Sequence, residues 1–197
     1  MTATAELFLP PAVNGPADGI RPVTPPGVIG AAVMKAARRS ARLTRRRLAR
    51  AERVSPATVH EWENGTLPLY CVGYRDLRQL AKTLASAGAI VGADVAELMA
   101  AGQCDLLLTG MLHGFEDYAE VPPIEEPGPR GDRTREFVRW ALTGIVPDRF
   151  LGFADRRPLL APADAAAIRS VAYDLHAGTV GPELATFGAA LLALAER

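Results

Sequence analysis

Residues 43–65 read LTRRRLARAERVSPATVHEWENG, and this stretch decides the fold predicted for the N-terminal half of the chain. Its first part predicts a short helix over residues 45–50. Thr44 can cap this helix, because its hydroxyl can accept a hydrogen bond from an unpaired amide of the first turn. Leu48 and Ala49 give the helix one apolar side, which we expect to face the core.

The second part of the stretch predicts another short helix over residues 55–64. Ser55-Pro56 is a strong start signal, since the hydroxyl caps the helix and proline at the first helical position loses no needed hydrogen bond. Gly65 follows the helix and can adopt the left-handed conformation that ends it. Two short helices joined by a turn near residues 52–54 have the spacing of a helix-turn-helix.

The charge distribution is strongly uneven, although the formal net charge of the 197 residues is zero. Residues 35–53 hold nine basic residues and one acidic residue, a net charge of +8. Residues 104–126 hold six acidic residues and no lysine or arginine. Such asymmetry favours a surface that binds a polyanion, although solvated helix faces are also often rich in arginine.

No stretch shows sustained two-residue alternation, so the sequence predicts an all-α protein. Its organisation is predicted to be a Pro/Gly-rich disordered tail (1–27), a domain of four to five helices (28–88), a helical connector (89–118), a Pro-rich linker (119–132) and a helical C-terminal region (133–197). Beyond residues 74–85, further helices are predicted over 93–101, 104–118, 134–143, 162–177 and 182–196.

The region over residues 30–84 resembles the Cro/repressor-type (XRE-like) helix-turn-helix regulators of bacteria and phages. The matching residues are Met34, Arg38, Leu43-Thr44, Leu48-Ala49, Val54-Ser55, Thr58-Val59, Trp62-Glu63-Asn64-Gly65 and Pro68. The resemblance implies that the N-terminal domain is repressor-like and binds double-stranded DNA, with the second helix of the pair in the major groove.

The resemblance also implies which side chains meet DNA. These are Arg42, Thr44, Arg45 and Arg46 around the first helix, and Ser55, Pro56, Ala57, Thr58, His60, Glu61 and Asn64 on the second. It further implies a structural salt bridge between Arg38 and Glu63, which would fix the domain's first helix to the recognition helix.

Some departures from the family pattern bear on function. Arg53 stands in the turn where the family often has glycine, at a cost of roughly 1 kcal/mol if the residue is left-handed. Glu52 takes a position that is frequently apolar, and Arg45 one that is frequently glutamine. The side chains of Pro56 and Ala57 cannot donate hydrogen bonds, so we expect few direct contacts to base edges. A large part of the DNA affinity should then come from nonspecific, salt-sensitive phosphate contacts. The alternative is a module that keeps the fold without binding DNA.

The last predicted helix carries an apolar seam with a 3-4-3 spacing, formed by Leu184, Phe187, Leu191 and Leu194. Two heptads are too few for an autonomous coiled coil, so packing within the C-terminal region and a homodimer interface are both open. A homodimer would place two recognition helices about 34 Å apart, as a palindromic site requires.

The sequence predicts neither an enzyme nor a cofactor. No nucleotide-binding or nucleophile motif occurs, the three histidines are scattered, and no metal site is indicated. The stripe Leu106, Leu107, Met111, Leu112 and Phe115, together with Phe137, Trp140 and Ala141, is predicted to pack in the core. The sequence has no apolar run long enough for a membrane helix and no signal-peptide pattern, and Cys71 and Cys104 form no disulfide or zinc motif, so we expect a cytoplasmic protein. As a DNA-binding protein it would be associated with the nucleoid.

The leading hypothesis is therefore a bacterial transcriptional regulator, a repressor or an activator, that binds DNA as a homodimer. A second hypothesis is an antitoxin-like or anti-activator protein whose C-terminal region or acidic stretch binds a protein partner. A third is ligand sensing by the C-terminal helices, which a concave apolar pocket with a few polar groups would support.

Overall fold

The computed structural model describes residues 24–113, 128–179 and 184–196. Every regular element within these ranges is helical, which confirms the all-α prediction. The eight described α-helices are α1 (Val28–Ser40), α2 (Arg45–Glu52), α3 (Pro56–Asn64), α4 (Tyr74–Ser86), α5 (Val95–His113), α6 (Pro129–Thr143), α7 (Pro162–His176) and α8 (Ala185–Ala195). Short 3-10 turns lie at Leu69–Cys71 and Asp148–Phe150.

Helix α5 is the central element and packs against α1, α4, α6 and α7. The prediction of two separate helices over 93–101 and 104–118 is wrong, because one helix runs unbroken from Val95 to His113. Gly102 lies inside this helix where it passes close to the neighbouring backbone: a Cβ there would stand 3.0 Å from the backbone nitrogen of Tyr70. The glycine therefore permits a close approach rather than a break.

Helix α5 also has the length and composition of a membrane-crossing helix, as buried core helices often do. In this protein, 61% of its most apolar window is buried. Localisation in the cytoplasm stays a prediction.

Two segments predicted to be irregular are partly structured. Within the predicted tail, Thr24 is buried: its amide donates to Asp164 Oδ2 at 2.7 Å and its hydroxyl accepts from Ala161 N at 2.8 Å. The predicted linker over residues 119–132 extends too far toward the C-terminus, because α6 already begins at Pro129. Proline is compatible with the first turn of a helix. Residues 1–23 and 114–127 lie outside the described residues.

The buried apolar side chains of α1 through α8 belong to one contiguous cluster. Phe137, Trp140 and Ala141 are fully buried, as predicted, and the Trp140 ring lies 5.7 Å from that of Phe150. Leu107 and Met111 are buried as well, whereas Leu106 is 44% exposed, so its prediction as a core residue is wrong. Leu112 is half-buried, and Phe115 lies outside the described residues.

The C-terminal apolar seam packs within the chain. Phe187 and Leu191 are buried, whereas Leu184 and Leu194 are half-buried against the same core. Helix α8 approaches α7 so closely that a Cβ at Gly188 would lie 2.4 Å from the backbone nitrogen of His176. Because this packing already occupies the seam, the predicted homodimer stays a prediction and would need another surface.

Candidate nucleic-acid interface

Helices α2 and α3 are joined by a tight turn, and both begin with the predicted caps. Thr44 Oγ1 accepts from Arg47 N at 3.2 Å, and Ser55 Oγ accepts from Thr58 N at 3.0 Å. Arg53 ends α2 in the left-handed conformation with φ 57°. The chain then turns back, and Val54 N donates to Ala49 O at 3.0 Å.

The inner side of this helix pair is apolar. Leu48, Val59 and Trp62 are buried, and Val54 is half-buried against the same cluster. Ala49 is buried too, so Leu48 and Ala49 both face the core as the sequence predicts. Glu63 is buried as well, and most of the remaining residues of α2 and α3 are exposed.

The N-terminal half of α3 lies on the protein surface. Ser55, Pro56, Ala57, His60 and Glu61 are all exposed. The later helices therefore do not cover the first turn of α3. Pro56 has no N–H, and the amides of Thr58 and Val59 are bound to Ser55, so the attraction of this turn for a phosphate rests on the amide of Ala57 and the positive end of the helix dipole.

Exposed guanidinium groups flank α3. Arg42 lies before α2, and Arg45, Arg46 and Arg47 form its first turn; all four are exposed. No acidic residue lies in the first turn of either helix to offset them. The surface made by these arginines and the start of α3 is called the α2–α3 surface below.

Glu63 lies beneath this surface and connects α3 to α1. Its side chain is fully buried, and it forms an ion pair with Arg38 of α1, the pair that the resemblance implies. Arg38 Nη1 also donates to Leu43 O at 2.7 Å. Burial alone would raise the pKa of Glu63, but hydrogen bonds and charges from Arg38 and Arg45 outweigh it and hold the pKa below 4.5.

Sequence reasoning missed the second partner of Glu63. Arg45 Nε donates to Glu63 Oε2, so this arginine is held in place although its side chain is 44% exposed. The Nη groups of Arg45 have no partner among the described residues. A predicted DNA-contacting residue is thus oriented by the same carboxylate that joins α1 to α3.

The polar residues at the two ends of α3 also form local contacts. Thr58 is partly exposed, and its hydroxyl lies 3.0 Å from that of Ser55. Asn64 is partly exposed, and its Oδ1 accepts from the amide of Thr66 at 3.0 Å and from the Thr66 hydroxyl at 2.7 Å. The amide oxygen of Asn64 is therefore engaged within the chain, and its Nδ2 group is the donor available to a phosphate.

Glu52, at a position where the resemblance leads us to expect an apolar residue, is partly buried. Its Oε1 is buried and has no partner among the described residues. Burial raises the pKa of Glu52, a hydrogen bond with Thr83 opposes this shift, and the charge of Asp76 adds to it.

Arg53→Gly is expected to raise the free energy of unfolding by about 0.5–1 kcal/mol, since glycine adopts a positive φ without a Cβ clash. The measurement is urea unfolding followed by circular dichroism. Arg50→Gly is the matched control: it removes the same side chain inside right-handed α2 and is expected to cost about 1 kcal/mol. Equal losses for both variants would contradict the strain at Arg53.

Residues 153–161 flank the α2–α3 surface, which sequence reasoning did not anticipate. Arg39 of α1 attaches this segment: its Nη1 donates to Phe153 O at 3.2 Å and lies 3.7 Å from Asp155 Oδ1. A concave space therefore lies between α1, α3 and residues 153–161, with Arg45, His60 and Asn64 along one side.

Comparison with protein-family models, curated proteins and solved structures finds no match to this chain. Within the described ranges, no three His, Cys, Asp or Glu side chains cluster so that they could hold a metal ion. The α2–α3 surface is the feature of the described residues that bears on function.

Proposed function

We propose that this chain is a sequence-specific DNA-binding transcriptional regulator that acts as a homodimer. In this proposal α2 and α3 form a Cro/repressor-type helix-turn-helix within a repressor-like N-terminal domain, and α3 enters the major groove. The observation that carries the proposal is the exposed first turn of α3 beside the exposed side chains of Arg42, Arg45, Arg46 and Arg47.

The physical chemistry of the α2–α3 surface matches the duplex in two respects. A major groove about 12 Å wide admits one helix, and the unobstructed start of α3 can enter it. The arginines supply the cations that neutralise phosphates on either side, and phosphate contacts set the position of the protein on the duplex.

Few side chains on the surface can read bases. Glu61 can accept from cytosine N4, Ala57 can contact a thymine methyl, and the Nη groups of Arg45 can donate to guanine. Because Glu63 fixes Arg45, this last contact is preorganised. We therefore expect modest sequence discrimination on top of strong, salt-dependent phosphate binding.

Arg45→Ala combined with Arg46→Ala tests this proposal. The double variant is expected to bind a cognate duplex at least about tenfold more weakly, because two phosphate or base contacts are lost. The duplex comes from genome-wide mapping of bound DNA, affinity is measured by fluorescence anisotropy, and helix content by circular dichroism.

The matched control is Arg130→Ala combined with Arg169→Ala, which removes the same charge from α6 and α7. Control affinity should equal that of the parent protein, and the parent's log–log plot of affinity against salt should slope clearly downward. A flat plot, or unchanged affinity of the double variant with intact folding, would reject the placement of the surface.

The protein-partner alternative stays a prediction. Of the six acidic residues in the stretch 104–126, Asp105 is buried, and the other five lie outside the described residues.

A further inference from the structure

The concave space beside the α2–α3 surface has the size of a small-molecule site. It measures about 480 Å³ and lies between α1, α3 and residues 153–161; we call it the α1–α3 cavity. Ligand pockets fall in the range of about 300–1,000 Å³. Part of its lining is apolar and includes Val28, Ala31, Ala32, Trp140, Leu159 and Leu160.

Hydrogen bonds hold the wall of this cavity at both ends. Near one end, Arg39 binds Phe153 O and Asp155. At the other end, the amide of Ala161 donates to the hydroxyl of buried Thr24 at 2.8 Å. The cavity is therefore bounded by anchored backbone rather than by a free loop.

The charged groups of the cavity favour an anion. Two of its cations are already paired, Arg39 with Asp155 and Arg45 with Glu63. Lys35 and Arg157 also line the cavity, and their side chains have no partner among the described residues. The carboxylates of Asp155 and Glu63 are thus neutralised by their arginine partners, and the cations of Lys35 and Arg157 remain available to a ligand.

The side chain of Trp140 also lines the cavity. The Trp140 side chain is 0% exposed, and its Nε1 has no hydrogen-bond partner among the described residues. The Nε1 of Trp62, which does not line the cavity, is unpaired in the same way, so an unpaired indole does not by itself indicate a ligand. The ring of Trp140 serves here as part of the cavity wall and as a spectroscopic reporter of what binds in it.

We propose that the α1–α3 cavity binds a small organic anion, a carboxylate or a phosphate monoester attached to a compact apolar group. Lys35 and Arg157 neutralise the anion, and the apolar lining holds the rest of the molecule. Because Arg45, His60 and Asn64 border both this cavity and the α2–α3 surface, the bound anion changes DNA affinity; this last step rests on the proposed function.

The test follows the two tryptophan indole N–H signals of the ¹⁵N-labelled full chain by NMR. Trp62 does not line the cavity and serves as the internal reference. The probes are 3-phenylpropionate and phenyl phosphate, with neutral 3-phenylpropionamide as the control. We expect saturable movement of the Trp140 signal with at least one anion, little movement with the amide, and none of the Trp62 signal.

Lys35→Gln combined with Arg157→Gln is expected to weaken probe binding about tenfold or more, because charge-assisted hydrogen bonds are lost. Arg130→Gln combined with Arg169→Gln removes two charges elsewhere and should leave probe binding unchanged. An unmoved Trp140 signal with both anions, equal binding of the amide, or equal binding by the Lys35/Arg157 variant overturns the proposal.

DNA binding is measured separately on the same proteins. Probe binding without DNA binding would reject the proposed function and leave the anion site standing. If no probe binds and the Lys35/Arg157 variant loses DNA affinity, these cations contact the phosphate backbone instead, and the anion site is rejected.

Discussion

Replacing Glu63 with alanine is expected to lower the free energy of unfolding by about 3–4 kcal/mol, because the variant leaves a largely buried guanidinium without its anion. The Glu63 side chain is fully buried, and that of Arg38 is only 15% exposed. Arg45 is 44% exposed and can be solvated, so it adds little to this loss. Urea unfolding followed by circular dichroism measures the change.

The matched control removes an exposed carboxylate. Asp155 is 53% exposed and pairs with Arg39 at 3.7 Å, so Asp155→Ala should change the unfolding free energy by less than about 0.5 kcal/mol. If Glu63→Ala loses no more stability than Asp155→Ala, the buried ion pair stabilises the fold no more than an exposed pair does. Glu63→Ala should also weaken DNA binding, because Arg45 loses its anchor.

The dependence on pH gives an independent check of the same pair. Because Arg38 and Arg45 hold the pKa of Glu63 below 4.5, the folded state favours the ionised form. The stabilisation is fully present above pH 4.5 and is lost as the pH falls through the folded-state pKa. The stability difference between the parent protein and Glu63→Gln should therefore shrink in acid.

Local signals made the α2–α3 unit predictable from the sequence. The caps at Thr44 and Ser55 and the glycine stop at Gly65 depend on residues within a few positions of each other, and the structure places all three as expected. Local chemistry was misleading where proline and glycine are frequent. Pro129 lies in a stretch typical of linkers, yet proline is also a favoured first helical residue, and α6 begins there.

Long-range contacts account for what the sequence did not predict. Arg45 and Glu63 belong to different helices, and only the crossing of α2 and α3 brings them together. Arg149 binds Glu97 and Glu136 and lies over the rings of Phe137 and Phe150, which joins α5 to α6. Residues 153–161 reach α1 through Arg39, 114 positions away from Phe153. Periodicity and capping rules contain no information about such pairs.

Asp105 is the clearest of these long-range contacts, and Asp105→Ala is expected to cost about 2–4 kcal/mol of unfolding free energy, because two buried amides lose their acceptor. Helix α1 has no side-chain cap of its own at Gly27. Asp105 of α5 caps it instead, accepting from Ile29 N and Gly30 N at 2.8 Å each. Thermal and urea unfolding measure the loss, and Asp132→Ala on the exposed start of α6 is the control.

The stability that Asp105 contributes should depend on pH in the opposite sense to the stability that Glu63 contributes. Burial raises the pKa of Asp105 to about 8, and the two amide hydrogen bonds oppose this shift without cancelling it. The folded state therefore favours the neutral acid, whose stabilisation is present below pH 3.8 and is lost as the pH rises through about 8. Asp105→Asn cannot ionise but keeps every other titrating group. The stability advantage of the parent protein over Asp105→Asn should decrease between about pH 4 and 8. An advantage that grows over this range would mean that the amide hydrogen bonds outweigh burial in setting the pKa of Asp105.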